Sequence, residues 1–410
     1  MSNLIYLFIY ILELVYLSRE IKSHKRLWEV FLMSVKHDKK SKILVIGGGV
    51  VGLTTALILQ MEGHEVKIVT EKLAPEVTSV VAGALWEWPP AVCGNHQDEA
   101  SIKVSKEWSL LSYKIFSELS RDKESGVYMR NVTFFFKHLV ESNPKDFEKM
   151  NELKLHVQNF RHDTLLIQEK EINQKIGIKD AYSLLAPMID TGMYMKWLQE
   201  KVVKANCEII RKKIVGNLEE QEEKLKAEYQ VDVIVNCTGL GSIELTDDEM
   251  YPLRGALVRV INDGNHFRKM DEAYCISHDG ISEDPGFMFI LPRGENMLLL
   301  GGLAELNKWD LEVDLENYQP IKEMYNRCKE FFPSLEKAVI DASEPVRTGL
   351  RPFRKKSVRL ERVPNSSIIH NYGHGGSGVT FSWGCALQVL EIVNGLNAKD
   401  MFKNDLVSVI

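Results

Sequence analysis

Lys42-Ile43-Leu44-Val45-Ile46-Gly47-Gly48-Gly49-Val50-Val51-Gly52 is the stretch that decides how this chain folds. Its first five residues, rich in branched apolar side chains, read as a buried strand that three glycines end at once. Leu53, Ala56, Leu57 and Leu59 then supply the apolar face of a helix, Gly63 is placed to end it, and Glu65 to Thr70 alternates as a second strand. That is a βαβ opening in about thirty residues. Gly47 to Gly52 fits G-x-G-x-x-G. Gly47 permits the tight turn, Gly49 lets backbone approach a pyrophosphate, Gly52 lets helix pack on strand, and the helix N-terminus favours phosphate charge. Glu71 lies nineteen residues beyond Gly52, where a carboxylate accepts hydrogen bonds from ribose hydroxyls. The hexapeptide alone describes any glycine-rich turn. Strand, helix and acid in register make it a dinucleotide-binding fingerprint.

Beyond about residue 95 the pattern loosens. A helix is expected over Lys103 to Leu119, a strand over Val127 to Phe136, and the region reads as an inserted, sheet-based unit. A βαβ-like return follows, with a helix through Met195 to Ala205, a strand at Cys207 to Ile210 and another over Val231 to Asn236. Residues 251–345 are sheet-rich again, with Gly255 to Val260 and Met297 to Gly302 as strands. A last helix, about Val379 to Val393, is preceded by Asn371-Tyr372-Gly373-His374-Gly375-Gly376-Ser377-Gly378-Val379-Thr380, a second glycine-rich segment whose amides can gather around an anion. His374 reads more simply as a hydrogen-bonded core residue than as a catalytic one.

The bulk composition narrows the function classes. A chain of 410 residues is long enough for two cores, and 45% hydrophobic with 26% charged residues is ordinary for globular proteins. A net charge of -6 without a concentrated basic surface argues against nucleic acid as a partner and leaves small molecules. Six cysteines without a C-x-x-C pair indicate neither a metal site nor a disulfide framework, only buried thiols in a cytoplasmic, reducing compartment. Leu4 to Leu17 is nearly all apolar but shorter than the ~20 residues of a membrane span. It leaves two readings open: membrane contact through residues 4–17, or translation starting at Met33. Ser408-Val409-Ile410 is not a peroxisomal address.

The sequence resembles the D-amino acid oxidase family of FAD-dependent amine and amino acid oxidases. The resemblance is carried by the Gly47 to Gly52 loop, Val233-Ile234-Val235-Asn236-Cys237-Thr238-Gly239, Arg347-Thr348-Gly349-Leu350-Arg351-Pro352 with Arg359-Leu360-Glu361, and His370 to Thr380 followed by Trp383-Gly384-Cys385-Ala386-Leu387. It implies an α/β fold: a discontinuous, Rossmann-like FAD-binding domain (41–95, 191–250 and 346–410), a sheet-based α+β substrate domain (96–190 and 251–345) and an N-terminal extension (1–40). It implies FAD contacts at Gly47, Gly49, Val50, Val51, Gly52, Glu71 and Lys72 toward the adenosine, Thr78, Ser79, Ala84, Leu85 and Trp86 around the flavin, Ile214 at the adenine, and Gly375, Ser377, Gly378, Val379 and Thr380 at the isoalloxazine. Arg351 corresponds to the arginine that grips the substrate carboxylate through two charge-assisted hydrogen bonds. Its alternative is a structural ion pair among the neighbours Arg347, Arg354 and Arg359. Gly376 would accept the substrate amine through its carbonyl.

The expected activity is oxidation of a D-amino acid to a 2-oxo acid, with ammonia and, from molecular oxygen, hydrogen peroxide. One departure stands out: Phe289 occupies the place of a family tyrosine that hydrogen-bonds the substrate carboxylate, and Tyr274 or His278 are the candidates to compensate. That loss keeps a related amine oxidase acting on glycine, sarcosine, another secondary amine or D-aspartate as the alternative. A flavin-binding protein without turnover and an NAD-dependent dehydrogenase are the more distant rivals. Oligomeric state is not written in these patterns.

Overall fold

The computed structural model describes residues 40–90, 94–246, 249–276 and 287–395. The expectations for residues 4–17, Met33, His278 and 408–410 lie outside them. Fifteen strands are present among the described residues: β1 (Lys42–Ile46), β2 (Glu65–Thr70), β3 (Val127–Phe136), β4 (Gln158–His162), β5 (Asp180–Ile189), β6 (Glu208–Arg211), β7 (Val233–Asn236), β8 (Met250–Ile261), β9 (Ala273–Ile276), β10 (Met288–Arg293), β11 (Met297–Gly301), β12 (Glu305–Leu306), β13 (Val346–Arg354), β14 (Arg359–Arg362) and β15 (Ile368–Tyr372).

They form two sheets. The first has six strands in the order β14-β15-β7-β1-β2-β6, parallel except for the β14 hairpin. β1 lies at its centre because both faces of Ile43-Leu44-Val45-Ile46 are buried, as a parallel strand covered on two sides requires. The helix Val50–Met61 follows at once and is buried over most of its length, Leu53, Ala56, Ile58 and Leu59 all lying within 2% of full burial. Truncating Leu59 to Ala would cost about 2–5 kcal/mol through the cavity left behind.

The second sheet runs β12-β8-β11-β10-β9-β3-β5-β4, with β13 pairing alongside β8. Residues alternate between its two faces. Tyr274, Met288, Ile290, Leu298 and Leu300 pack with the helix Gln319–Phe331, whereas Phe134, Tyr182, Cys275, Phe289, Leu291 and Leu257 face the side that carries Trp86 and Trp88. Two elements differ from the sequence reading. β13, taken there with the FAD-binding segments, is a strand of the second sheet, registered against β8 over its whole length. The helix Glu99–Leu119, taken with the inserted unit, packs on the last helix, Gly378–Val393. Gly384 allows that contact, because a Cβ there would come within 2.7 Å of the Trp108 Cβ, and Trp108 Nε1 donates to Gln388 Oε1 at 2.7 Å.

Among the described residues no helix is long and apolar enough to cross a membrane. Cys207, Cys237, Cys275, Cys328 and Cys385 are free and buried.

Candidate active site

The glycine loop sits at the carboxyl edge of the parallel sheet, between β1 and the Val50–Met61 helix. Gly47 has φ +119°, a conformation that disfavours side chains, and a Cβ there would lie 2.5 Å from the Cys237 carbonyl oxygen. Gly52 packs on the carbonyl of Gly47, so helix and turn meet backbone to backbone. Gly48, which the motif leaves unspecified, is equally constrained: its N–H donates to Thr70 Oγ1 at 2.9 Å, and a Cβ would meet the Lys72 carbonyl at 2.9 Å. The Val50 N–H donates to Ser79 Oγ at 2.9 Å, which ties the loop to the short helix Thr78–Val81. Glu71 and Lys72 are exposed immediately beyond β2, and Ile214 is buried just beyond β6, at the same edge of the sheet.

The second glycine-rich segment arrives beside the first. β15 delivers a turn at Gly375–Ser377, where Gly376 is exposed, and the Gly378–Val393 helix follows. A Cβ on Gly378 would lie 3.9 Å from the side chains of both Val50 and Val51, so the two helix N-termini converge. Neither helix has an acidic residue in its first turn or a side-chain cap. Apart from the Val50 N–H, which Ser79 takes, their first-turn amides and partial positive charges form a donor set suited to an anion such as a pyrophosphate. His374 is buried and its pKa is pushed down by that burial to about 4; its neutral ring hydrogen-bonds Asn371 Oδ1 at 3.1 Å through Nε2. This is the structural role expected from sequence.

Ala84, Leu85 and Trp86 run along the edge of β5. Trp86 N donates to the Pro187 carbonyl, the Ile189 N–H to the Ala84 carbonyl, and Trp86 Nε1 to the Ser109 carbonyl at 2.8 Å. Arg293, on β10, was not singled out from sequence. Its guanidinium donates to the Ala82 carbonyl at 2.5 Å, the Gly83 carbonyl at 3.2 Å and the Thr191 hydroxyl, so it clamps the entry to this segment. Burial lowers its pKa to about 10.

Arg351 projects from β13 on the same sheet face as Leu257, Phe289 and Leu291. Its guanidinium lies over Gly255, where a Cβ would be 2.6 Å from Cζ. Nη1 donates to the Leu303 carbonyl at 3.2 Å. Burial pulls its pKa down to about 10 while the nearby Glu87 carboxylate opposes that. Arg259 and Arg347, on the same face, are held by Asp341 and Glu344. Among the described residues no carboxylate pairs with Arg351, so the structural ion-pair reading does not apply to it. Phe289 covers Gly301 and reaches Gly83, closing this face with carbon. Tyr274 cannot stand in for the missing hydroxyl: it occupies the opposite face of the sheet, where it donates to Glu272 at 3.0 Å and packs edge-on against Phe135 and Phe332.

A parallel sheet with two helix N-termini converging at its carboxyl edge is the arrangement of a dinucleotide-binding fold. The FAD dependent oxidoreductase family matches residues 42–392, and the chain belongs to it. The chain is 32% identical to the D-amino-acid oxidase of Streptomyces coelicolor over 362 residues, 87% of this chain and 98% of that protein. It is 26% identical to the human D-aspartate oxidase over 377 residues, 86% of this chain and 95% of the relative. Among solved structures, glycine oxidase from Bacillus cereus superposes with a TM-score of 0.65 over 89% of this chain and 98% of its own, at 16% identity, which is a likeness of fold. The protein is an FAD-dependent oxidoreductase.

Proposed function

We propose that the enzyme oxidises D-amino acids to 2-oxo acids, releasing ammonia and reducing oxygen to hydrogen peroxide. The observation that carries this reading is Arg351: a partly buried guanidinium with no carboxylate in contact among the described residues, on the sheet face that also carries Phe289 and Leu291. Such a group binds a substrate carboxylate through two parallel hydrogen bonds and fixes the α-carbon in one orientation. Gly376, exposed at the head of the last helix, offers its carbonyl to the substrate amine.

In the same proposal Gly47, Gly49, Val50, Val51, Gly52, Glu71 and Lys72 would hold FAD on its adenosine side and Ile214 its adenine through backbone, with Thr78 and Ser79 around the flavin. Ala84, Leu85, Trp86, Gly375, Ser377, Gly378, Val379 and Thr380 enclose the isoalloxazine, and the helix N-terminus at Gly378 favours negative charge there. Bound FAD supplies the two-electron sink that the substrate Cα–H bond requires. The six-stranded sheet carries the cofactor, and the nine-stranded sheet carries the substrate.

The test is stoichiometric: consumption of one oxygen per 2-oxo acid, ammonia and hydrogen peroxide formed from a D-amino acid, with the L-enantiomer inert, fits the proposal. Turnover confined to glycine, sarcosine or another secondary amine would move the enzyme to the alternative reading, which the missing hydroxyl at Phe289 motivates. D-Aspartate would in addition need a second cation beside its side chain.

A further inference from the structure

Between the registered pairs Gly301–Leu257 and Glu305–Arg254, three residues, Gly302, Leu303 and Ala304, stand opposite two, Ala256 and Gly255. This bulge, entered at a Gly302 φ of +140°, turns the Leu303 carbonyl out of the ladder, where it accepts from Arg351 Nη1 at 3.2 Å. The Gly302 carbonyl accepts from Arg327 Nη2 at 3.4 Å. Two residues beyond Leu303, Glu305 meets Arg254. Its Oε2 accepts from Arg254 Nε at 2.9 Å and from Nη2 at 2.7 Å, and its Oε1 accepts from the Tyr318 hydroxyl. Arg254 Nη1 donates to the Asp310 carbonyl at 2.8 Å, and its guanidinium lies 4.7 Å from the centre of the Tyr318 ring. With side chains 3% and 17% exposed, the Arg254–Glu305 pair is unlike the solvated ion pairs that contribute little. Arg254 stands between Leu253, which is registered with Arg351, and Gly255, on which the Arg351 guanidinium rests. Strand alternation places it on the opposite face of β8.

We propose that Arg254 and Glu305 are positioning residues for substrate binding: from the far face of β8 their buried pair fastens the bulge, so that the Leu303 carbonyl holds the Arg351 guanidinium in the orientation that receives a carboxylate. The proposal rests on the reading of Arg351 as the carboxylate anchor and deepens it. A guanidinium grips a carboxylate through two parallel bonds only when its plane is fixed. Gly255 sets where the guanidinium lies, and the Leu303 carbonyl sets how it is turned. The neighbouring arginines on that face, Arg259 and Arg347, are held instead by Asp341 and Glu344. Stability alone does not call for a buried ion pair at residues 254 and 305, since apolar side chains of like volume serve a core as well. What the pair adds is direction. Two N–H groups of Arg254 converge on one oxygen of Glu305 and fix the backbone of the returning strand against β8, two residues from the carbonyl that Arg351 uses.

The test uses the FAD-loaded enzyme with Glu305→Gln and, because that change leaves Arg254 charged and unpaired, with the double variant Arg254→Met/Glu305→Leu, which removes both charges and keeps an apolar filling. Glu272→Gln is the control: it breaks the 2.6 Å Lys170–Glu272 pair of the same sheet, to which the Tyr274 hydroxyl also donates. The expected result is a KM for D-alanine and D-leucine raised about 10-fold in both Glu305 variants, as for loss of one oriented hydrogen bond to a charged group, with kcat moving less than KM. In Glu272→Gln, KM should stay at the wild-type value. A readout independent of turnover is calorimetric binding of pentanoate, which has a carboxylate and no amine to oxidise; its affinity should fall by the same factor in the Glu305 variants and hold in the control. Unchanged KM and pentanoate affinity in the double variant, or a fall in kcat and flavin content with KM unmoved, would overturn the positioning role. Arg351→Ala separates this inference from the reading beneath it. A KM raised in Arg351→Ala but not in the double variant sinks the positioning role alone, and a KM unmoved in both sinks the anchor as well.

Discussion

The guanidinium of Arg351 rests on the bare Cα of Gly255, two strands' backbones making a seat that any side chain at residue 255 would fill. The position of the arginine therefore depends on a glycine distant in sequence. Gly255→Ala should displace the guanidinium by roughly an ångström and raise KM for amino acid substrates about 10- to 100-fold, since misplacement of this size is costly at a reacting centre. Flavin content should be unchanged. Arg351→Lys, which keeps charge but not the fork, should resemble it, and Arg351→Ala should be worse by several kcal/mol. Steady-state kinetics beside flavin absorbance check all three.

Gly47→Ala should abolish FAD retention. The positive φ and the Cys237 carbonyl, 2.5 Å from the new Cβ, leave the loop no conformation that keeps its place. The purified variant should be colourless, with a lowered Tm, while Gly264→Ala, a positive-φ glycine in an open turn of the second sheet, should stay yellow.

Arg293 fixes the carbonyls of Ala82 and Gly83. Arg293→Met keeps much of the packing but orphans both carbonyls, at about 1–3 kcal/mol each for groups that stay buried. The expected outcome is a lower Tm and weaker FAD binding, measured by thermal melting with and without added FAD.

Two buried groups set opposite pH dependences. His374 has its pKa lowered from 6.5 to about 4, so the unfolded chain takes a proton first as pH falls. Stability contributed by the neutral ring is present above pH 6.5 and is lost between about pH 6.5 and 4, up to ~3 kcal/mol. Glu391, in the last helix, has its pKa raised from 4.5 to about 7 by burial, and its Oε2 has no hydrogen-bond partner among the described residues. Its cost is absent below about pH 4.5 and grows as the native group is forced to ionise through pH 7, again to ~3 kcal/mol. Glu391→Gln should therefore raise Tm at pH 8 and leave it nearly unchanged at pH 4.5. His374→Gln should flatten the loss of stability on acidification.

The dinucleotide loop was legible in sequence because its chemistry is local: a strand, three glycines and a helix within twenty residues can be read without knowing the rest of the fold. The last helix and its glycine-rich approach were legible for the same reason. What the sequence hid is set by register between distant strands. Gly255 becomes the seat of Arg351 only through the β8–β13 ladder, and Tyr274 is turned from the site by the two-residue alternation of β9. The helix Glu99–Leu119 joined the cofactor-side layer through one close approach, Gly384 against Trp108, that no periodicity announces. Arg293 and Arg254 lie in unremarkable local sequence; only their burial and their neighbours distinguish them.

The most direct test of the central claim is anaerobic mixing of the yellow wild-type protein with D- and L-enantiomers of the same amino acids while the visible flavin band is followed. Rapid bleaching by D-amino acids, no bleaching by their L-enantiomers, and recovery of colour on admitting oxygen are the predicted results. A flavin that stays oxidised with every D-amino acid, or is bleached equally by the L-enantiomers, would contradict the account.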